Sequence, residues 1–457
     1  MEHCWAADTV GALDPAARGV LQVVGGPGTG KTSLLTDIAT AHIAARVDAE
    51  SVLLLTGSGR VGTRLRGAVT ATLLASIDGT GSGLPPVIRG PLVRTVHSYA
   101  FAILQSAAQR AGNAPPRLVT GAEQDSVIRE LLDGDGARAW PAQLHAAVRT
   151  DGFTTELRDL MARCAERDVD PAQLIRLGRR ARRPEWMAAG RFAQQYEQVM
   201  LLRAAVGMAA PQATVPALGA AELVGAALDA FATDPDLLDD ERARIRLLLI
   251  DDAQQLDPQA ARLVQVLAAG VARTVIAGDP NQAVFGFRGA EAGALLGAAP
   301  TVTLTRSHRC APAIATAVSG VAARLPRRGT TAHLDGADGD AGSVRVRPAA
   351  SGHAEEALIA DTLRRAHLVD GVPWSQMAVI VRSVPRAAAR LPRALAAAGV
   401  PVILPADAGV PAEQPAVAAL LTVLAATADG LDGQRALMLL TGPIGRVDPI
   451  SLRQLRR

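Results

Sequence analysis

Two short stretches, far apart in the chain, hold the residue types best suited to chemistry. The first is GGPGTGKT, Gly25 to Thr32, which fits the pattern G-x-x-x-x-G-K-[ST]. Gly25, Gly26, Pro27, Gly28, Thr29 and Gly30 form a loop whose backbone N–H groups can turn inward on phosphate oxygens. A helix that starts directly after it adds positive potential at the same place. Lys31 offers a compact ammonium to the β- and γ-phosphates of a nucleoside triphosphate, where a planar guanidinium is too wide. Thr32 then presents its hydroxyl to Mg²⁺. Of the 47 lysines plus arginines, Lys31 is the one lysine. A composition that favours arginine everywhere else has kept lysine where arginine cannot serve.

The second stretch is LLLIDDAQQ, Leu247 to Gln255, an apolar run that ends on two adjacent carboxylates, Asp251 and Asp252. A strand that delivers paired acids to its C-terminal end is a common way to build a nucleotide-hydrolysing site. Both stretches need a particular scaffold. VLQVV before the glycine loop, and the apolar runs from Ser51, Ile245 and Arg273, have the pattern of buried parallel strands. Their small or acidic ends share one ligand edge. SLLTDIATAHIAA after the loop is expected to be a helix. Asp257-Pro258 provides an N-cap and first-turn proline for another. The expected class is α/β, a parallel sheet with the loop at its ligand edge.

Composition bounds the rest. A chain of 457 residues with 49% hydrophobic and 20% charged residues belongs to globular proteins of two to four domains. The N-terminus, MEHCWAAD, lacks the basic-then-apolar layout of a secretory signal. AVAALLTVLAATA from Ala416 is too short to span a bilayer. Cys4, Cys164 and Cys310 are isolated, which suggests neither a disulfide framework nor a metal knuckle. A cytoplasmic location with no membrane partner is the expectation. A net charge of +3 does not by itself argue for nucleic acid.

Four further stretches speak more directly: RTVHSYAFAIL from Arg94, DDAQ from Asp251, AGDPNQAVFGFRGAE from Ala277 and LTRSHRC from Leu304. With the glycine loop they resemble, in order, the motifs of the UvrD/Rep/PcrA-like superfamily 1 DNA helicases. MAVIVRSVPRAAARLPRALAAAGVPV from Met377 resembles the strand–helix–strand of that family's second motor domain. The stretches ELRDLMARCAERDVDPAQL and RRPEWMAAGRF are most similar to AdnA subunits of actinobacterial AdnAB helicase–nucleases, which process double-strand breaks.

The resemblance implies a RecA-like motor domain in two parts, 1–105 and 240–300, with a helical insertion at 106–239. An incomplete second RecA-like domain follows at 301–410, and a second helical insertion starts at 411–457. It implies ATP and Mg²⁺ as cofactors, single-stranded DNA and DNA ends as partners, an AdnB-like second subunit, and 3′→5′ movement. By matched position, Asp251 organises Mg²⁺ and Asp252 falls where a glutamate activates the attacking water. Gln254 and Gln282 sense the γ-phosphate. Arg309 reaches the γ-phosphate as a finger that acts on cleft closure. Phe287 and Phe285 stack on bases, and Thr95 and His97 contact phosphate or base. With only six Phe and two Tyr in the chain, two Phe spaced i, i+2 in one loop stand out; each stacked base is worth ~1–3 kcal/mol.

Four departures from the family pattern cluster around ATP. Ala17 stands where a glutamine reads adenine, Ser33 where an arginine is common, and His308 where a tyrosine stacks. Asp252 is one methylene shorter than glutamate, so its carboxylate retreats by ~1.5 Å. A shift of ~1 Å can cost ~10²-fold in rate. The family's last motifs have no counterpart before Arg457. The expected function is a DNA helicase or translocase subunit in break repair with a weakened motor. The alternative is an ATP-binding, poorly hydrolysing scaffold for a partner motor. The run from Arg176 to Arg191 carries six arginines around Trp186, either a DNA contact or a solvated face. GTGSGLPP from Gly79 is expected to be a flexible excursion and DGADGDAG from Asp335 a flexible turn in the second core.

Overall fold

The computed structural model describes residues 5–45, 48–78, 92–205, 217–297, 299–326, 333–388, 390–404, 415–448 and 451–452. The GTGSGLPP stretch lies outside them. Residues 1–344 and 345–457 form two compact units.

The first unit is built on a parallel sheet. Its strands are β1 (Gly19–Gly25), β2 (Val52–Thr56) and β3 (Val93–Thr95). Two short strands, β4 (Arg117–Leu118) and β5 (Ala217–Leu218), pair with each other apart from it. β6 (Leu247–Asp251), β7 (Arg273–Gly278) and β8 (Thr301–Leu304) complete the main sheet, whose order is β3-β2-β6-β7-β1-β8. All its pairings are parallel, so every C-terminal end lies at one edge. β2, β6 and β7 are buried along their whole length because helices cover both faces. Alternate residues point to opposite sides of a strand. Leu247 and Leu249 therefore join a core under the helices Lys31–Ala44 and Gly59–Asp78, while Leu248 and Ile250 face a second core on the other side. Sheet, parallel arrangement and ligand edge all match the α/β expectation.

Two boundaries fall elsewhere than expected. The helix Leu223–Thr233, assigned to the insertion, buries Leu223, Val224, Ala227 and Phe231 in the sheet's own core. The insertion's separate core runs from Val127 to Met200, around Trp140, Phe192 and Tyr196. β8, assigned to a second motor domain, pairs with β1 from Gln22↔Thr301 to Gly25↔Leu304. A sheet edge with free N–H and C=O groups is satisfied by the next extended segment that reaches it. The DGADGDAG turn also belongs to the first unit. Asp335 accepts from Ser307 N–H at 2.9 Å and donates to Thr305 at 2.9 Å.

In the second unit the helix Gly352–Leu368 packs on Leu391–Ala397 through Ala360, Leu395 and Val400. His367 stacks on Trp374 at 4.1 Å between ring centroids. The helices Pro415–Asp429 and Gly433–Thr441 follow. The strand–helix–strand expected from Met377 is present only as its helix. Among the described residues of this unit there is no strand, and Val346, Ile380 and Ile403 are each more than nine-tenths exposed. An apolar run becomes a strand only when a neighbour supplies the ladder, and no neighbour does so here. A second RecA-like sheet is therefore not formed by the described residues.

Candidate nucleotide-binding site

β1 delivers the chain to the glycine loop, and the helix Lys31–Ala44 leaves it with Gly30 as N-cap at φ +90°. Gly28 sits at φ +75°, and a methyl there would lie 2.6 Å from the Arg309 Cβ and 2.7 Å from the Ser307 Oγ. Only glycine fits, since the turn needs a left-handed residue and the neighbours leave no room. Lys31 Nζ donates to the carbonyls of Gly25 (2.7 Å) and Gly26 (2.9 Å), curling back over the loop. Burial pushes its ammonium below the usual lysine value, against the pull of Asp279, Asp252 and Asp251.

Thr32 follows at the exposed lip. Its hydroxyl donates to Asp251 Oδ2 at 3.0 Å and lies 3.2 Å from Oδ1. Thus residues 219 apart in sequence meet because β1 and β6 end at one edge. Asp251 is fully buried. Burial first, then the charge of Asp252, raises its pKa to about 6; the Thr32 hydroxyl and the Asp252 N–H oppose the rise.

Asp252 holds φ +53°, a left-handed conformation that few non-glycine residues adopt and that aspartate tolerates comparatively well. Its Oδ1 accepts from Gln254 Nε2 at 3.1 Å. The other end of that amide, Gln254 Oε1, accepts from the backbone N–H of Asp279 at 3.0 Å. Asp279 Oδ2 in turn accepts from Gln282 Nε2 at 2.7 Å. Gln255 closes the circuit. Its backbone N–H donates to Asp252 (2.9 Å), its Nε2 to the Gln282 carbonyl (2.6 Å), and its Oε1 accepts from the Phe285 N–H (3.3 Å). One hydrogen-bonded network therefore runs from the second acid to the aromatic loop.

The segment after β8 docks on the glycine loop. Ser307 is fully buried and donates to the Pro27 carbonyl at 2.9 Å. Its hydroxyl accepts from the N–H groups of Arg309 (3.3 Å) and Cys310 (3.0 Å), and His308 N–H donates to Gly28 at 2.8 Å. Arg309 and His308 are exposed, and Arg309 is close enough for its charge to oppose that of Lys31.

The aromatic loop lies beyond Gln282. Phe287 is 75% exposed, Phe285 is half-buried, and their rings are 6.3 Å apart at 61°. The Arg288 guanidinium lies 5.6 Å and 5.4 Å from the two ring centroids, within cation–π range. Thr95 uses its hydroxyl to cap the helix Val96–Arg110, accepting from Ser98 N–H at 3.1 Å. His97 is half-buried at the start of the same helix. The structure therefore gathers Lys31, Thr32, Asp251, Asp252, Gln254, Gln282 and Arg309 around one loop. The aromatic pair and the Thr95–His97 turn stand as two further groups at the sheet edge. In the arginine run, Trp186 packs partly into the insertion core with Arg183 5.9 Å from its ring, while Arg176, Arg179, Arg180, Arg182 and Arg183 are exposed.

Sequence reasoning missed Gln255, Asp279 and Ser307. Asp279 ends the apolar run from Arg273 as Asp251 ends that from Ile245, and an acidic strand end at the ligand edge is a usable signal. Nothing local marks Gln255 or Ser307.

A left-handed loop closed by lysine, a buried acid under the loop's threonine and a parallel sheet behind both define a P-loop α/β protein. Residues 8–303 match the UvrD/REP helicase N-terminal domain, and the chain belongs to that family. It is 25% identical over 379 residues to the ATP-dependent DNA helicase UvrD2 of Mycobacterium tuberculosis (strain H37Rv) and to its counterpart in Mycobacterium bovis, covering 80% of this chain and 50% of each relative. It is 23% identical over 301 residues to YjcD of Bacillus subtilis, covering 64% of this chain and 35% of that protein. The chain spans about half the length of the UvrD2 relatives. No helix among the described residues is long and apolar enough to cross a membrane.

Proposed function

We propose that this chain is an ATP-dependent DNA helicase or translocase subunit that couples nucleotide hydrolysis to movement on single-stranded DNA. The observation that carries the reading is the network joining Asp252, Gln254, Asp279, Gln282 and Gln255 to the Phe285 backbone. A nucleotide site that served binding alone has no use for a polar connection to an exposed aromatic loop.

The residues fit Mg²⁺–ATP. The left-handed turns at Gly28 (φ +75°) and Gly30 (φ +90°) suit a loop whose backbone N–H groups can receive phosphate oxygens. Lys31 Nζ, which donates to two loop carbonyls, would turn to the β- and γ-phosphates on binding. The Asp251 carboxylate and Thr32 hydroxyl form an oxygen pair suited to a cation that takes its remaining ligands from water and phosphate. Bound there, the metal would supply charge neutralisation of the phosphates. Asp252 would hold the attacking water and accept its proton. Arg309 and Gln282 would meet the γ-phosphate, and Phe287 and Phe285 would stack on bases, with Thr95 and His97 further along the strand.

The names of the UvrD2 relatives support ATP-dependent helicase activity. The finer assignment, action at DNA ends in break repair with an AdnB-like partner subunit and 3′→5′ movement, rests on the resemblance of ELRDLMARCAERDVDPAQL and RRPEWMAAGRF to AdnA subunits and not on the relatives above. The test is phosphate release from ATP with and without saturating single-stranded DNA, for the wild type and Lys31→Ala. DNA-stimulated release that vanishes in the variant is expected. ATP binding without hydrolysis, under all conditions and with a partner subunit added, would replace the motor with a scaffold.

A further inference from the structure

The helical insertion meets the aromatic loop through the pair Glu166 and Arg163. Glu166 ends the helix Asp151–Ala165 and is 7% exposed. Its Oε1 pairs with Arg163 Nη2 at 2.6 Å, and its backbone carbonyl accepts from the N–H of Gln259 at 3.1 Å, on the motor helix Pro258–Ala268. Glu166 Oε2, together with Arg163 Nε and Nη1, is buried without a hydrogen-bond partner. That oxygen faces Gly289, which holds φ +88°. A methyl group at Gly289 would overlap Glu166 Oε2 and lie 3.0 Å from Arg163 Nη1.

Gly289 closes the turn that carries Phe287. Its N–H donates to Gly286 at 3.2 Å, and the N–H of Ala290 donates to Phe285 at 3.2 Å. On its other side, Glu166 lines a cavity of about 210 Å³ together with His97 and Arg163. The acid thus lies between the two sequence motifs matched to DNA contacts. An ion pair that served only to pin the insertion would direct both carboxylate oxygens at donors. Here one oxygen meets no donor and lies against the backbone of Gly289 in the aromatic turn instead.

We propose that Glu166 is a positioning residue, which props the Gly286–Gly289 turn from the helical insertion and so sets how Phe287 meets a single strand. The proposal rests on the DNA reading of Phe287. Burial raises the Glu166 pKa to about 7; Arg163 and Arg167 oppose the rise, and Asp257 and Asp159 add to it. His97, Arg158 and Glu222 share the cavity wall, and Arg288 flanks the turn. Below pH 7 the neutral acid fits against the Gly289 backbone. Above it, the charge is balanced by Arg163 at Oε1 alone, and the desolvated Oε2, which has no donor, loosens the prop.

The experiment measures affinity for a dye-labelled oligo-dT at fixed salt, at pH 6 and pH 8. Alongside it, amide exchange of Gly289 and Ala290 is followed without DNA. The wild type is expected to weaken several-fold from pH 6 to pH 8. Glu166→Gln, a neutral amide of the same shape, should bind equally at both, and Glu166→Ala should bind weakly at both and exchange faster at Gly289 and Ala290. ATP affinity should be unchanged in both variants. Wild-type DNA affinity and exchange in Glu166→Ala would overturn the proposal, as would a wild-type pH profile in Glu166→Gln. Failure of the wild type to bind oligo-dT, with exchange still responding to Glu166→Ala, would sink the DNA reading and leave the prop standing.

Discussion

The side chain of Gln255 accepts a hydrogen bond from the Phe285 N–H at 3.3 Å, while the same amide donates to the Gln282 carbonyl at 2.6 Å. Because the Gln255 backbone N–H also holds the Asp252 carbonyl at 2.9 Å, a shift at the acid reaches the aromatic loop through one residue. Gln255→Ala should therefore leave ATP affinity near wild type and lower the stimulation of turnover by single-stranded DNA about tenfold, the equivalent of ~1.4 kcal/mol of lost coupling. Gln255→Glu should do the same, because a carboxylate cannot donate to the Gln282 carbonyl. ATPase titrations with DNA distinguish the two effects, and stimulation unchanged in both variants would remove Gln255 from the coupling path.

Asp252 carries a second prediction. Asp252→Asn should abolish turnover while ATP binding persists, because an amide does not accept the proton. Asp252→Glu should raise DNA-dependent turnover if reach is limiting, since one methylene extends the carboxylate by ~1.5 Å. The φ of +53° works against that gain, because aspartate suits the left-handed region better than glutamate. Steady-state rates of the three proteins decide it, and wild-type turnover in Asp252→Asn would end the general-base assignment.

Asp251 makes the site sensitive to pH. Its carboxyl is raised from 3.8 to about 6 on folding, so the folded state holds the extra proton between those values. Stability without Mg²⁺ should then be fullest below pH 3.8 as far as this group is concerned, and decline as pH rises to about 6. Asp251→Asn should stabilise the metal-free protein at pH 7, by on the order of 3 kcal/mol from a rise of this size. Mg²⁺-dependent nucleotide affinity should show the opposite trend in the wild type, falling as pH drops through about 6 when the ligand oxygen is protonated. Thermal melts with and without Mg²⁺ across this range test both signs.

Phe287, three-quarters exposed, contributes little to the core. Phe287→Ala should leave the melting temperature nearly unchanged and weaken single-strand binding by ~1–3 kcal/mol, irrespective of base sequence. Anisotropy at constant ionic strength is the measurement, because phosphate contacts vary steeply with salt. Full affinity in the variant would leave the exposed ring without a nucleic-acid role.

The glycine loop, its lysine and the strand ends were legible in the linear chain because their geometry is local. A left-handed turn needs glycine whatever surrounds it, and a strand buried on both faces must be apolar along its length. Those constraints predicted the sheet edge and placed Lys31, Thr32, Asp251 and Asp252 on it. What tertiary structure decided was who meets whom across long stretches of chain. Ser307 reaches Pro27 across 280 residues and β8 joins the first sheet, because an edge strand's free backbone groups take the nearest extended segment. Gln255 reads as one more polar residue until β6 and β7 are laid side by side and its amide falls between Gln282 and Phe285. The apolar runs around Ile380 and Ile403, expected to be strands, form no ladder among the described residues. Apolar pattern makes a segment able to be a strand, but only a neighbouring backbone makes it one.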